Sequence, residues 1–148
     1  MDTLNTNMNE IQTQSLTMVA FSEDESKLFW NDIERHIEHA LDFSPDVTLE
    51  DVRRAVFKGT YHVIGVYRNQ TMVGAVVYKL QSIKGVTVAF VMAIGGRWIA
   101  TATGIDQFKE FLRAFGVSKL QGIARPSVAR LWQKLGVTPI YTVMETNL

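Results

Sequence analysis

Residues 86–116 read VTVAFVMAIGGRWIATATGIDQFKEFLRAFG. From Val86 to Ile94 the stretch is apolar nearly throughout, which suits a strand buried on both faces of a sheet. Gly95-Gly96 breaks it. Ile105, Phe108, Leu112 and Phe115 then recur at helical spacing, and Gly116 stands where a left-handed helix cap belongs. Val117 to Ala124 reads as a further short strand. A helical crossover between two strands makes them parallel neighbours.

Upstream, Tyr61 to Tyr67 and Met72 to Gln81 read as strands joined by Arg68-Asn69-Gln70-Thr71, the spacing of an antiparallel hairpin. Lys84-Gly85 makes the next turn. The central strand is therefore expected to run antiparallel to Met72–Gln81 and parallel to Val117–Ala124. Further upstream, Thr17 to Phe21 reads as a first strand, and Ser22 with Glu25 forms a capping box. One helix with Phe29, Ile33, Ile37, Ala40 and Leu41 on a stripe is expected to follow. Thr48 with Asp51 caps a second helix, which Gly59 ends. Downstream, Pro126 suits a first helical turn. Val128, Leu131, Trp132 and Leu135 share a face, Gly136 stops that helix, and Thr138 to Glu145 is expected to be a last strand.

The order β-α-α-β-β-β-α-β-α-β predicts the α/β class, with a central mixed sheet flanked by helices. Phe108, Leu112, Phe115, Leu131 and Leu135 are the expected core of its last helices. Residues 1–16 read as a flexible polar leader, and 17–148 as a single domain.

Composition narrows the function. Lys plus Arg and Asp plus Glu number 15 each, which argues against a strongly steered nucleic-acid binder. The absence of cysteine excludes disulfides, thiolate metal sites and a cysteine nucleophile. No apolar run approaches the length of a membrane span. A cytoplasmic protein is the expectation, with surplus apolar surface available for a homodimer.

Two motifs resemble the GNAT (N-acetyltransferase-like) superfamily. Arg97-Trp98-Ile99-Ala100-Thr101-Ala102, between strand and helix, resembles its pyrophosphate loop, Gln/Arg-x-x-Gly-x-Gly/Ala. Arg97 and Ala102 match, and Ala100 replaces the first glycine. Val128 to Val137 resembles Ala-x-x-Leu-Tyr-x-Lys-x-Gly-Phe, with Leu131, Lys134 and Gly136 in register. The Gly95-Gly96-Arg97 and Arg125-to-Gly136 segments also resemble GNAT-like proteins of tailed bacteriophages. The resemblance implies acetyl-coenzyme A as the acyl donor and an amine, free or on a protein, as the acceptor. It implies that the diphosphate lies on backbone N–H groups of Arg97, Trp98, Ile99, Ala100, Thr101 and Ala102, at a helix N-terminus whose dipole favours anions. The pantetheine arm would pair with backbone around Met92 to Ile94, where two parallel strands splay.

Trp132 stands where many GNAT enzymes carry a tyrosine, and an indole N–H is far too weak an acid to protonate a departing thiolate. It reads as a core anchor that can also pack against the pantetheine arm. Val86 to Ile94 contains no carboxylate to serve as a base, so no catalytic residue is assigned. His62, Tyr61, Tyr78 and Tyr141 are possible replacements, each also readable as a half-buried sheet residue. His36 and His39 lie three apart without an evident third ligand, so no metal site is expected. Arg125, Arg130, Lys119 and Lys134 read as surface charge, or as contacts for the 3′-phosphate of coenzyme A or for an acidic partner. The alternative function is a GNAT-shaped binding or structural module without catalysis.

Overall fold

The computed structural model describes residues 16–42 and 46–148. The expected leader, apart from Leu16, lies outside them. The elements are β1 (Thr17–Phe21), α1 (Glu23–Leu28), α2 (Trp30–Leu41), α3 (Leu49–Phe57), β2 (His62–Arg68), β3 (Thr71–Ile83) and β4 (Val86–Gly95). A single 3-10 turn (Arg97–Ala100) leads into α4 (Ala102–Ala114), β5 (Lys119–Gly122) and α5 (Pro126–Lys134). Among the described residues, no helix is long and apolar enough to cross a membrane.

The five strands lie in sequence order, with β1–β4 antiparallel and β4–β5 parallel. This is the mixed sheet expected from the sequence. Both hairpin turns use two residues of positive φ, Asn69-Gln70 and Lys84-Gly85. Such turns match the twist of the strands they join. The sheet separates two cores. On one side Trp30, Ile33, Ile37 and Leu41 of α2, with Val52 and Val56 of α3, pack on Val63, Ala75, Val77 and Ala93. On the other, Ile105, Phe108 and Leu112 of α4 pack with Trp98 and Trp132 on Ile64, Val76, Ala89 and Val91. Adjacent residues such as Val63 and Ile64 serve opposite faces, which is why the inner strands are continuously apolar.

Four expectations need correction. The helix after Ser22 is two helices: Phe29 leaves helical geometry (φ −99°, ψ 12°) and packs on Phe21 with ring centroids 5.6 Å apart. That break lets α1 lie on α3 while α2 turns its stripe to the sheet. Phe115, expected in the core, is 62% exposed. It is the C-cap of α4, so the stripe ends at Leu112, and Phe115 leans on Phe111 instead. Leu131 and Leu135 are only partly buried against the core. Finally, Thr138 to Glu145 forms no strand. Gly136 (φ 89°) redirects the chain, Val137 bonds back to Trp132, and Pro139 lacks an N–H for a ladder.

Candidate functional site

The site begins with how β4 leaves its neighbours. On β3, Val77 faces Ala93 and Tyr78 faces Val91, so Met92 is an extra residue on β4, a bulge. The bulge reverses the alternation of side chains. Val91 belongs to the α4 side, whereas Ala93 belongs to the α2 side. On the other edge, the parallel ladder with β5 runs from Val88–Lys119 only to Val91–Gly122. Past that rung β4 continues to Gly95, while the other chain turns through Ile123–Arg125 into α5. Two parallel strands therefore part at Met92, and Met92–Ile94 have no strand partner on the β5 side.

Gly95 and Gly96 carry the chain out of the sheet. A Cβ on Gly95 would stand 1.4 Å from the His36 carbonyl oxygen, where α2 crosses the strand. Gly96 has φ 107°, which L side chains rarely adopt. In the following turn Trp98 and Ile99 point inward and are buried, while Arg97, Ala100, Thr101 and Ala102 are exposed. The Trp98 indole N–H donates to the Gly95 carbonyl at 2.9 Å, and its ring stands edge-on to Phe108 at 5.8 Å and 87°. The turn is thus anchored from beneath by its own tryptophan.

Thr101 is the N-cap of α4. Its hydroxyl donates to the Trp98 carbonyl (2.9 Å) and accepts from the Gly104 N–H (3.0 Å). The N–H groups of Ala102 and Thr103, at the first two helical positions, have no acceptor within the helix. The expected loop therefore presents backbone donors beside small residues, but its own threonine already engages the Gly104 N–H.

Trp132 is 7% exposed and lies over the last rung of the β4–β5 ladder. A Cβ on Gly122 would lie 3.7 Å from its ring and 3.6 Å from the Val91 Cβ. Registers carry a row from there across the sheet: Gly122, Val91, Tyr78, His62. The His62 and Tyr78 rings are 5.5 Å apart, and burial raises the Tyr78 phenol above its ordinary range. Tyr61 is half-buried beside His62, whereas Tyr141 lies in the exposed segment after α5. His39 instead meets Asp42 at 3.2 Å. Among the described residues, no group of three or more His, Cys, Asp or Glu is placed to hold a metal ion. Lys119, Arg125, Arg130 and Lys134 are all exposed, Arg125 as the N-cap of α5.

Sequence reasoning missed the bulge, which no residue type marks. It also missed the capping role of Thr101, whose signal was a threonine directly before an apolar helical stripe.

No protein-family model matches the chain, and no curated protein matches it. Solved structures do. An aminoglycoside acetyltransferase from an uncultured soil metagenomic sample, in complex with sisomicin, superposes with a TM-score of 0.63 at 13% identity, over 93% of this chain and 97% of that one. The chain has the GNAT acetyltransferase fold. A GNAT family acetyltransferase from Staphylococcus aureus gives a TM-score of 0.58 at 10% identity, covering 90% and 99%. A predicted acetyltransferase with acetyl-CoA from Clostridium acetobutylicum gives 0.58 at 12%, covering 90% and 96%. At these identities the GNAT likeness establishes architecture and leaves chemistry to the residues.

Proposed function

We propose that the chain is a cytoplasmic N-acyltransferase, taking an acetyl group from acetyl-coenzyme A to an amine. The parting of β4 from β5 at Met92 carries this reading. It leaves peptide groups of Met92–Ile94 open along one side, where an extended chain containing amides, such as a pantetheine arm, can pair. The GNAT-fold neighbour solved with acetyl-CoA supports the choice of donor. The sisomicin complex of another neighbour supports an amine acceptor of unspecified kind.

The diphosphate would lie over the backbone of Arg97–Ala102, near the Ala102 and Thr103 N–H groups, with the Arg97 side chain free to add charge. Trp132 would form the apolar wall beside the arm. In the reaction the acceptor nitrogen bonds to the thioester carbonyl carbon, the carbon–sulfur bond breaks, and the nitrogen loses a proton. His62 and Tyr78 are the polar side chains of the row that ends at the opening, and an imidazole nitrogen of His62 would accept the proton the amine loses. Burial raises the Tyr78 phenol and so makes it a weaker acid, and the coenzyme A thiolate released by the cleavage takes its proton from solvent.

A second reading, a binding module without turnover, is favoured by one observation: Thr101 already occupies the Gly104 N–H that a diphosphate would use. Calorimetric titration with coenzyme A tests the acyltransferase reading. Binding should be measurable in the wild type, retained in Ala100→Gly and lost in Ala102→Leu, whose side chain would stand over the helix start. Saturation at a hundredfold excess over Kd should stabilise the fold by about 2.7 kcal/mol. No heat and no thermal shift at millimolar coenzyme A would overturn the acyltransferase reading. Binding without acetyl-CoA hydrolysis or amine acetylation would leave the module.

A further inference from the structure

The balanced charge of the chain conceals a division along its length. Residues 1–51 hold twelve of the fifteen Asp and Glu and only two of the fifteen Lys and Arg, whereas residues 52–148 hold three and thirteen. Folding turns this division into two faces. Six carboxylates, from Glu23 to Glu38, lie on α1 and α2, and α2 covers one side of the sheet. The helices of the other side, α4 and α5, carry Lys109, Arg113, Arg130 and Lys134, and β5 beside them carries Lys119. These five cations converge. Lys109, Arg113 and Lys119 line a cavity of about 290 Å³. Gly136 lines it too, and a Cβ there would lie 3.8 Å from Lys109 Nζ, so the end of α5 reaches the cluster. Lys109 and Arg113 are one helical turn apart, as are the exposed Arg130 and Lys134. Like charges at that spacing weaken their own helices. Among the described residues Arg113 pairs with Glu110, and the other four cations meet no carboxylate. Phe115, two residues after Arg113, is 62% exposed, with its ring tilted against Phe111.

We propose that this face binds single-stranded nucleic acid, with the cations on its phosphates and a base stacked on Phe115. Cations without carboxylates, next to an aromatic ring left in solvent, match what a phosphate backbone and its bases require. Repulsion within the two cation pairs is relieved by an anion that spans several of them, and a chain of phosphates does so. The acidic face of a second copy is a poorer partner. Glu25 and Asp51 are held in capping boxes, and Glu23, Asp32 and Glu50 are held in ion pairs with Lys27, Arg35 and Arg53. An acidic peptide would satisfy the cations and leave Phe115 unused. The 13 residues of α4, about 20 Å of helix, separate this cluster from the turn at Arg97–Ala102, so a strand bound here leaves the proposed coenzyme A site open.

The test is fluorescence anisotropy of a labelled single-stranded oligonucleotide of about 16 nucleotides with the full chain, from about 50 to about 200 mM salt. Affinity should fall as salt rises, with a log–log slope of about −3 to −4 if all five cations meet phosphates. Lys109→Gln/Lys119→Gln and Arg130→Gln/Lys134→Gln should each shrink that slope by about 1.4 and weaken binding at low salt by about tenfold. Lys27→Gln/Arg35→Gln changes the net charge equally, but on the acidic face, and should shift affinity by less than about twofold. Phe115→Ala, a change at an exposed side chain, should weaken binding by about five- to a hundredfold. Binding of a matched duplex, whose bases stack on one another, should be insensitive to Phe115→Ala. No binding at the lowest salt overturns the proposal. So does an equal loss in Lys27→Gln/Arg35→Gln, which would reduce the effect to net charge, or an unchanged affinity in Phe115→Ala. Displacement by poly-glutamate of equal charge would give the face to an acidic protein. Displacement by coenzyme A at constant ionic strength would give the cations to the cofactor, and either result overturns the proposal.

Discussion

Replacing Gly104 with alanine sets helix propensity directly against the local geometry. Gly104 is the third residue of α4, and alanine in a helix is favoured over glycine by about 1 kcal/mol. In this fold a Cβ there would stand 1.9 Å from the Trp98 carbonyl oxygen and 3.0 Å from Thr101 Oγ1. The first contact is with backbone, so no rotamer relieves it. The 3-10 turn must shift away from α4, and the two bonds of the Thr101 hydroxyl stretch with it. Losing a cap costs about 1 kcal/mol, and overpacking a buried site costs about 1–3 kcal/mol. Against the propensity gain, Gly104→Ala should destabilise by about 1–3 kcal/mol. Urea unfolding followed by circular dichroism reads this as a lower midpoint at unchanged slope. Coenzyme A should also protect the variant less, because the turn that would hold the diphosphate has moved. A variant as stable as the wild type, or more so, would refute the placement of Trp98 against α4.

Phe108→Ala should cost about 3–5 kcal/mol because Phe108 is fully buried against Trp98, whereas exposed Phe115→Ala should stay within about 0.5 kcal/mol. The pair of denaturation midpoints checks where the stripe of α4 ends. Thr101→Ala should lose about 1 kcal/mol of stability with its cap, yet stabilisation by coenzyme A should not fall, since the Gly104 N–H is freed. Thermal shifts with and without ligand separate the two effects. Burial raises the Tyr78 phenol above 10.0 in the fold, so the folded chain keeps a proton that the unfolded chain releases. The corresponding stability is complete below pH 10 and falls as pH rises toward the folded value. Tyr78→Phe should flatten that alkaline decline and remove one late step from a tyrosinate absorbance titration.

The sheet was legible because its signals are local and redundant. Val86–Ile94 announces a strand covered on both faces, and the two turns before it allow only antiparallel neighbours. The caps at Ser22 and Thr48 and the first-turn Pro126 mark helix starts that the structure keeps. What failed were decisions made at element ends by tertiary packing. Phe115 continues the apolar spacing perfectly, but the helix ends at Ala114 and spacing loses its meaning there. Phe29 sits on the stripe of a continuous helix, and only its contact with Phe21 in β1 reveals the break. Thr138–Glu145 has the composition of a strand but forms none. Pairing depends on an edge, and β5 offers only Lys119–Gly122.

The site divides along the same line. Arg97–Ala102 was singled out by residue type, because small residues between a strand and a helix have a physical reason to be small, and in the structure it links β4 to α4. Six consecutive residues cannot all face a ligand, however. Trp98 and Ile99 hold the turn down in the core, leaving backbone, Arg97 and the short side chains outside. The feature that opens the sheet, the bulge at Met92, is invisible in the sequence, because methionine between two small residues fits a regular strand equally well. Once the bulge is in place its consequence is unavoidable. β4 changes side-chain phase at Met92, at the residue where β5 departs, so its open backbone and the row from Gly122 to His62 meet at one point. That convergence is what the proposed function rests on, and it arises without any residue type that marks catalysis.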